Sequence, residues 1–260
     1  MADTPQRAAV GLTRCVALAA VQRPSLALLG AEPFRAALEF AFNMLERPTN
    51  TPPGDGHPVV IFPGLGADGR SVATLRDHCR ALGYDAFDWG QGFNTGPQGD
   101  LDVWLDTLKS QVVGLLAGHR QPATLIGWSL GGLYAREVGK LMAPQVRQVI
   151  TIATPFNADA DHTNAGWLFR LLSGGSTVIA PALSKRLRTP PPLRTTSIFS
   201  KSDGVVAWQT CRHDKRSALV HEIEVGGSHI GMGWNRDVLA AVTDRLAQPA
   251  GPWRSFAREP

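Results

Sequence analysis

Ser129 is the residue on which a reaction could turn. It stands in Gly127-Trp-Ser-Leu-Gly131, after the apolar run Ala123-Thr-Leu-Ile126 and before a stretch that reads as a helix over 130–142, with Pro144 just beyond. A chain that passes from strand to helix through one serine must hold that serine in a strained backbone conformation. Side chains two positions to either side would strike neighbouring backbone, which accounts for Gly127 and Gly131, and Gly132 lets the helix close on the sheet. Such a turn lifts the hydroxyl clear and aims the free N–H groups of the helix N-terminus at a developing oxyanion. The chemistry implied is nucleophilic attack on a carbonyl carbon. The plain alternative is a structural turn with an idle serine, since glycine and serine are common in turns; the strand before and the helix after favour the nucleophile. A serine hydroxyl is a weak nucleophile until a base takes its proton, and seven histidines are available, at 57, 78, 119, 162, 213, 221 and 229.

The elements that must position these groups alternate from His57 onward. Pro58-Val-Val-Ile-Phe62 reads as a strand ending at the glycine-rich turn Gly64-Leu-Gly-Ala-Asp-Gly69. A helix follows over 71–82, stopped by Gly83, then a strand over 84–89 and a loop over 90–99 rich in Gly, Asn and Gln. Leu101, Trp104, Leu105, Leu108, Val112, Leu115 and Leu116 fall at helical spacing, and Asp100 is placed to cap that helix. Strands over 123–127 and 146–153 flank the helix of 130–142. The alternation breaks over 155–192 and resumes with strands at 195–199 and 219–225. A last helix over 236–246 carries Val238, Leu239, Val242 and Leu246 on one face. This order implies an α/β fold, a mostly parallel sheet flanked by helices. Before it lies a helix over 33–45 with Phe34, Leu38, Phe42 and Leu45 aligned, read as packed on the core rather than lying on a membrane.

The element order over 59–246 resembles the core of the α/β-hydrolase superfamily, from its third strand to its last helix. Four details are similar to bacterial serine esterase and lipase members: Phe62-Pro-Gly-Leu-Gly66, the Gly127–Gly131 elbow, Ile152-Ala-Thr-Pro-Phe156 and Ser202-Asp-Gly-Val-Val206. The resemblance covers most of the chain and is specific for the superfamily, not for a substrate. The family's small first strands are not evident, and a helical N-terminus stands in their place.

The resemblance implies a base in the loop between the last strand and the last helix, where Gly226-Gly-Ser-His-Ile-Gly231 puts His229. His221 lies inside an alternating strand and His213 on a polar helical stretch. The acid should follow the preceding strand, which selects Asp203; Asp214, in a charged run, is the nearest competitor, and an ordinary Asp-Gly turn is the plain reading of Asp203. The oxyanion donors would be the N–H of Leu130 and, by resemblance, of Leu65, with Pro63-Gly64 replacing the family's frequent His-Gly pair. The implied activity is hydrolysis of carboxylic esters of apolar acyl groups through an acyl-enzyme. Transfer to another acceptor, as in an acyltransferase, and thioester cleavage remain open on the same residues. No metal or cofactor is needed, and the partner expected is a small-molecule ester. Residues 156–190 would form a cap above the nucleophile, whose Trp167 and Leu168, with Trp128 and Phe156, would make an apolar acyl pocket.

The glycines at 64, 66 and 69 also satisfy Gly-x-Gly-x-x-Gly after a strand, with Asp88 at the spacing of a ribose ligand, so an NAD(P)-binding oxidoreductase is the rival from another reaction class. That reading leaves the elbow, Asp203 and His229 as coincidences. A third reading, a non-catalytic binding protein of the same fold, is disfavoured by Ser, Asp and His standing in order.

With 260 residues, 43% hydrophobic and 18% charged, the chain can bury one sizeable core. The expected organisation is a helical N-terminal segment at 1–56, a core at 57–155 and 191–248, the cap at 156–190 and a tail at 249–260. The net charge of +4 comes from scattered residues, with short clusters at 185–188 and 212–216. A nucleic-acid surface needs a denser stripe. Cys15, Cys79 and Cys211 form no disulfide or zinc-ligand pattern, and reduced thiols in a cytoplasm are the simplest account. Arg14 and Arg23 interrupt the mildly apolar N-terminal run, so neither a signal peptide nor a stable membrane anchor is expected.

Overall fold

The run Pro58–Phe62 forms strand β1 with every residue buried, as a strand covered on both faces must be. The structure, a computed structural model, describes residues 21–45, 53–157, 180–215, 217–249 and 253–256. Around β1 lie β2 (Asp85–Asp88), β3 (Ala123–Trp128), β4 (Val146–Ile152), β5 (Arg194–Phe199) and β6 (Val220–Glu224). They form one sheet in the order β2-β1-β3-β4-β5-β6, and every neighbouring pair is parallel. Among the described residues the helices are α1 (Leu26–Leu45), α2 (Ala73–Ala81), α3 (Leu101–Leu115), α4 (Leu130–Leu141), α5 (Pro181–Arg188) and α6 (Arg236–Ala247). None is long and apolar enough to cross a membrane.

The period of two along β1 and β3 sorts the core into two layers. Val60, Phe62 and Leu125 face Leu108 and Val112 of α3 and Leu133, Tyr134 and Val138 of α4. Val59, Ile61 and Ile126 face Leu75 and Cys79 of α2 and Val238 and Val242 of α6. Each such side chain contributes about 1.5–3 kcal/mol by leaving water. Asp100 caps α3 as expected, Oδ1 accepting from Asp102 N at 2.9 Å and Val103 N at 3.1 Å. Asn235 caps α6 in the same way.

Most boundaries fall within two residues of those read from the sequence. Ser71 was expected inside a helix, but its hydroxyl donates to Asp68 O at 2.7 Å and α2 begins at Ala73. The larger differences concern α1. It starts at Leu26, ahead of the expected 33, and runs through Pro33, whose ring removes one helical hydrogen bond. Its apolar row was expected to face the core. Instead Phe34, Leu38 and Phe42 are 69%, 43% and 60% exposed, and the buried face is Glu32 and Ala36. The reason is chemical: the ground beneath α1 is loop backbone with N–H groups to satisfy, and carboxylates rather than phenyl rings meet that need.

The chain runs from β1 outward to β2, then crosses back over β1 to β3. At such a switch point the loops leaving the carboxyl ends of two adjacent strands part, and a crevice opens between them. Phe62 of β1 pairs with Gly127 of β3, so the loops starting at Pro63 and Ser129 flank that crevice.

Candidate active site

Ser129 adopts φ 54° and ψ −120°, between β3 and α4. A non-glycine residue there stores on the order of 1–3 kcal/mol of strain, held by its surroundings. The closeness of strand and helix is visible at the glycines. A methyl on Gly127 would lie 2.5 Å from Gly131 C, and one on Gly131 2.6 Å from Pro63 O. Ser129 N donates to Ile152 O at 2.8 Å, which ties the turn to the end of β4.

His229 and Asp203 converge on this serine from the loops after β6 and β5. His229 Nε2 is 3.1 Å from Ser129 Oγ, and His229 Nδ1 is 2.7 Å from Asp203 Oδ2. All three residues are buried. The other Asp203 oxygen accepts from Val205 N at 2.8 Å and Val206 N at 2.7 Å, which fixes the plane of the carboxylate. A carboxylate only accepts, so the imidazole proton sits on Nδ1 and leaves Nε2 free to receive the serine proton. Asp214, the competitor, is exposed and accepts from Asn157 Nδ2. His221 lies in β6. His213 is not on a polar helix; its side chain is buried, the ring 4.4 Å from that of Phe156 and beside the Arg136 guanidinium, and burial, then that charge, push it down to about 3.

Burial would lower the pKa of His229, but the charge and hydrogen bond of Asp203, with a further contribution from Glu32, outweigh it and raise the group above the ordinary imidazole value. The protonated ring accepts nothing. A reaction that needs Nε2 as base is therefore lost as pH falls through a value above ~6.5, not at it.

The candidate oxyanion donors belong to the loops flanking the crevice. Leu130 opens α4, and the first N–H groups of a helix have no partner within it. Gly64 lies against the serine, a methyl at its position falling 3.5 Å from Ser129 Cβ, so the loop that carries Leu65 passes beside the nucleophile. Sequence reasoning missed what holds that loop. Asn94 is buried; its Nδ2 donates to Pro63 O at 2.9 Å, its backbone oxygen accepts from Gly66 N at 2.9 Å, and its backbone N–H reaches Ala67 O at 2.8 Å. Tyr134 of α4 donates its hydroxyl to Asn94 Oδ1 at 3.2 Å. In the sequence, Asn94 sits in a glycine-rich loop and reads as a turn residue. Losing one oxyanion donor costs about 10²–10³ in kcat, and displacing one costs less. Asn94→Ala should therefore lower kcat by about 10–100-fold with KM little changed, in steady-state assays of any ester the protein turns over. An unchanged kcat would place the second donor elsewhere.

The expected pocket residues separate. Trp128 is buried, and its indole donates to His229 O at 3.2 Å, so it braces the base loop. Phe156 is buried in the core with the Arg136 guanidinium 3.9 Å from its ring centre. Trp167 and Leu168 lie outside the described residues, as does most of the expected cap; its described helix α5 is tied to α4, Arg136 Nη2 donating to the carbonyls of Leu187, Arg188 and Thr189. The described residues also form an open pocket of about 150 Å³ beside the loop that carries Asn94, lined by Trp89, Phe93, Trp104, Leu108 and Gln111 among others.

The dinucleotide reading fails on position. The helix after the glycines begins only at Ala73, beyond Gly69, and Asp88 is held by Arg76 Nη1 at 3.0 Å and Gly90 N at 2.9 Å.

Comparison with known proteins points one way. A family model described as the alpha/beta hydrolase family matches residues 59–258. A pimeloyl-[acyl-carrier protein] methyl ester esterase of Shewanella woodyi is 31% identical over 137 residues, 52% of this chain and 51% of its own, so this chain spans about half the length of that relative. Among solved structures, the monoacylglycerol lipase of Paleococcus ferrophilus superposes with a TM-score of 0.54 at 14% identity, covering 75% of this chain and 95% of that one. The thioesterase domain from the curacin biosynthetic pathway does so with a TM-score of 0.51 at 12% identity, covering 75% and 92%. At such identities the two structures carry the fold.

Proposed function

The chain belongs to the alpha/beta hydrolase family, and from that premise we propose that it hydrolyses carboxylic esters with Ser129 as nucleophile, His229 as base and acid, and Asp203 as the group that orients His229. The observation that carries this reading is the continuous relay from Ser129 Oγ through both imidazole nitrogens to Asp203, set on a strained elbow.

The steps follow from the geometry. As Ser129 Oγ bonds to the ester carbon, its proton passes to His229 Nε2, and the carbonyl oxygen gains the negative charge. The N–H groups of Leu130 and Leu65 are the donors this reading assigns to that oxygen, to stabilise it more than the neutral carbonyl. Asp203 stabilises the imidazolium without taking its proton. The tetrahedral adduct collapses, the bond to the leaving oxygen breaks, and His229 Nε2 hands that oxygen its proton. Water then repeats the sequence on the acyl-enzyme and releases the acid.

The substrate class is an ester of an apolar acyl group, and the partner a small molecule. The name of the Shewanella relative supports acyl methyl esters as the class to test first. Trp167 and Leu168 are the pocket side chains expected from sequence. p-Nitrophenyl and methyl esters from acetate to hexanoate test the reading. Each methylene taken up by an apolar pocket contributes up to about 0.8 kcal/mol, so kcat/KM should rise about threefold per carbon at first. A flat or falling series refutes the apolar preference, and no turnover of any ester refutes the activity. Adding an acceptor alcohol measures how much of the acyl group is transferred rather than hydrolysed.

A further inference from the structure

The inner face of helix α1 meets the two loops that bring Asp203 and His229 together. Glu32 is 1% exposed. Its Oε1 accepts from Gly204 N at 2.8 Å, the peptide next to Asp203, and its Oε2 accepts from Ile230 N at 3.0 Å, the peptide next to His229. One carboxylate thus spans the acid loop and the base loop. Two turns along, Glu39 accepts from Ser228 N at 2.7 Å and from Asn235 Nδ2 at 2.9 Å, holding the base loop alone. Arg35 donates to Ser202 O at 2.6 Å and Ser202 Oγ at 2.9 Å, holding the acid loop alone. The loops are cut to receive this helix. A methyl on Gly204 would lie 2.6 Å from the backbone of Leu28, and one on Gly231 would strike the Glu39 carboxylate.

On the reading of Ser129, His229 and Asp203 given above, we propose that Glu32 is a positioning residue that sets the separation of Asp203 and His229 by bridging the backbone beside each. Hydrogen bonds from backbone N–H to a buried carboxylate are among the stronger ones, and they define both ends of the spacing at once. A displacement of about 1 Å in a reacting group can cost about 10²-fold in rate, so the bridge acts on turnover more than on binding. The carboxylate has a second effect, through charge. His229 is faced by Asp203 from the acid loop and by Glu32 from α1; Glu39 holds the N–H of the neighbouring Ser228, and Arg35 lies 3.6 Å from Glu32 as the opposing cation. The imidazolium that forms during turnover is stabilised by the two nearer carboxylates, whose charges raise the pKa of the ring against the effect of its burial.

The test is Glu32→Gln, which keeps the shape and removes the charge and one acceptor, measured beside Glu39→Gln in the full chain. For each, kcat and KM across pH, thermal stability, and the NMR titration of His229 are recorded. Glu32→Gln should lower plateau kcat about tenfold with KM within about twofold, and should move both the acid limb and the His229 titration down by about half a pH unit. Glu39→Gln should cost stability but leave the titration in place. If the Gln variant does not fold, Glu32→Asp takes its place: it keeps the charge and shortens the bridge, so kcat should fall while the acid limb stays. The proposal is overturned if Glu32→Gln changes stability alone, or if both Gln variants move the titration equally. Failure of the underlying reading looks different, since the wild-type protein would then show no turnover that depends on Ser129 or on the titration of His229.

Discussion

Ser129→Ala is expected to abolish ester hydrolysis, with a loss of at least about 10⁴-fold in kcat, while leaving the fold intact. The serine contributes little to the core that a methyl group would not, and its strained backbone is imposed from outside by Gly127, Gly131 and the Ser129 N–H bond to Ile152 O. An alanine inherits the same strain, so stability changes little in a thermal melt. A fluorophosphonate probe should label the wild-type protein on the peptide that contains Ser129, and the variant not at all. Label on another residue, or turnover by the variant beyond a trace, would overturn the assignment of the nucleophile.

The second large effect is expected at Asp203→Asn, about three to four orders of magnitude in kcat. The geometry says why an isosteric change costs so much. Oδ1 is held by two backbone N–H groups, from Val205 and Val206, so in the variant the amide carbonyl takes that place and the NH₂ turns toward His229 Nδ1. Two donors cannot face each other, and the imidazole must move its proton to Nε2. That nitrogen is the one 3.1 Å from Ser129 Oγ, and once protonated it cannot take the serine proton. The variant should fold, since both backbone N–H groups keep their acceptor. Asp214→Asn, measured in parallel, should leave kcat within about twofold, since its carboxylate is exposed and accepts from the side chain of Asn157 rather than from His229. A crippled Asp214→Asn beside a healthy Asp203→Asn would mean that the acid has been misassigned.

What could be read from the sequence and what could not divide along a physical line. The elbow is legible locally: the glycines at 127 and 131 are written beside the serine they serve, although Gly131 is required by the backbone of Phe62 and Pro63 far back in the chain. The buried strands are equally local, and the run at 58–62 identifies itself by being apolar throughout. Asp203 and His229 needed element order, taken from a resemblance, before two residues far apart could be paired, and the structure brings both to Ser129. Helix α1 shows where local reading ends. Its apolar row predicted the inner face, yet Glu32 and Glu39 face inward because their partners are backbone N–H groups. Every residue type offers such a group, so nothing in the sequence near Gly204 or Ile230 marks it as a binding partner. Asn94 escaped for the same reason, since two of its three bonds to the 63–67 loop are made by its own backbone.

The bridge made by Glu32 also has a consequence in time. Its two hydrogen bonds close spans of 172 and 198 residues. A chain made from its N-terminus at about 5–20 residues per second exposes α1 on the order of ten to forty seconds before Gly204 and Ile230 exist. Throughout that interval the carboxylates of α1 lack the backbone N–H partners they hold in the finished fold, and Ser129 can already stand on its elbow between finished strands. The nucleophile is thus laid down before the groups that arm it, which arrive only when the loops of Asp203 and His229 have been made and meet α1. A nascent chain that has not yet reached His229 carries the serine without its base, and reactivity is withheld until that loop has been made.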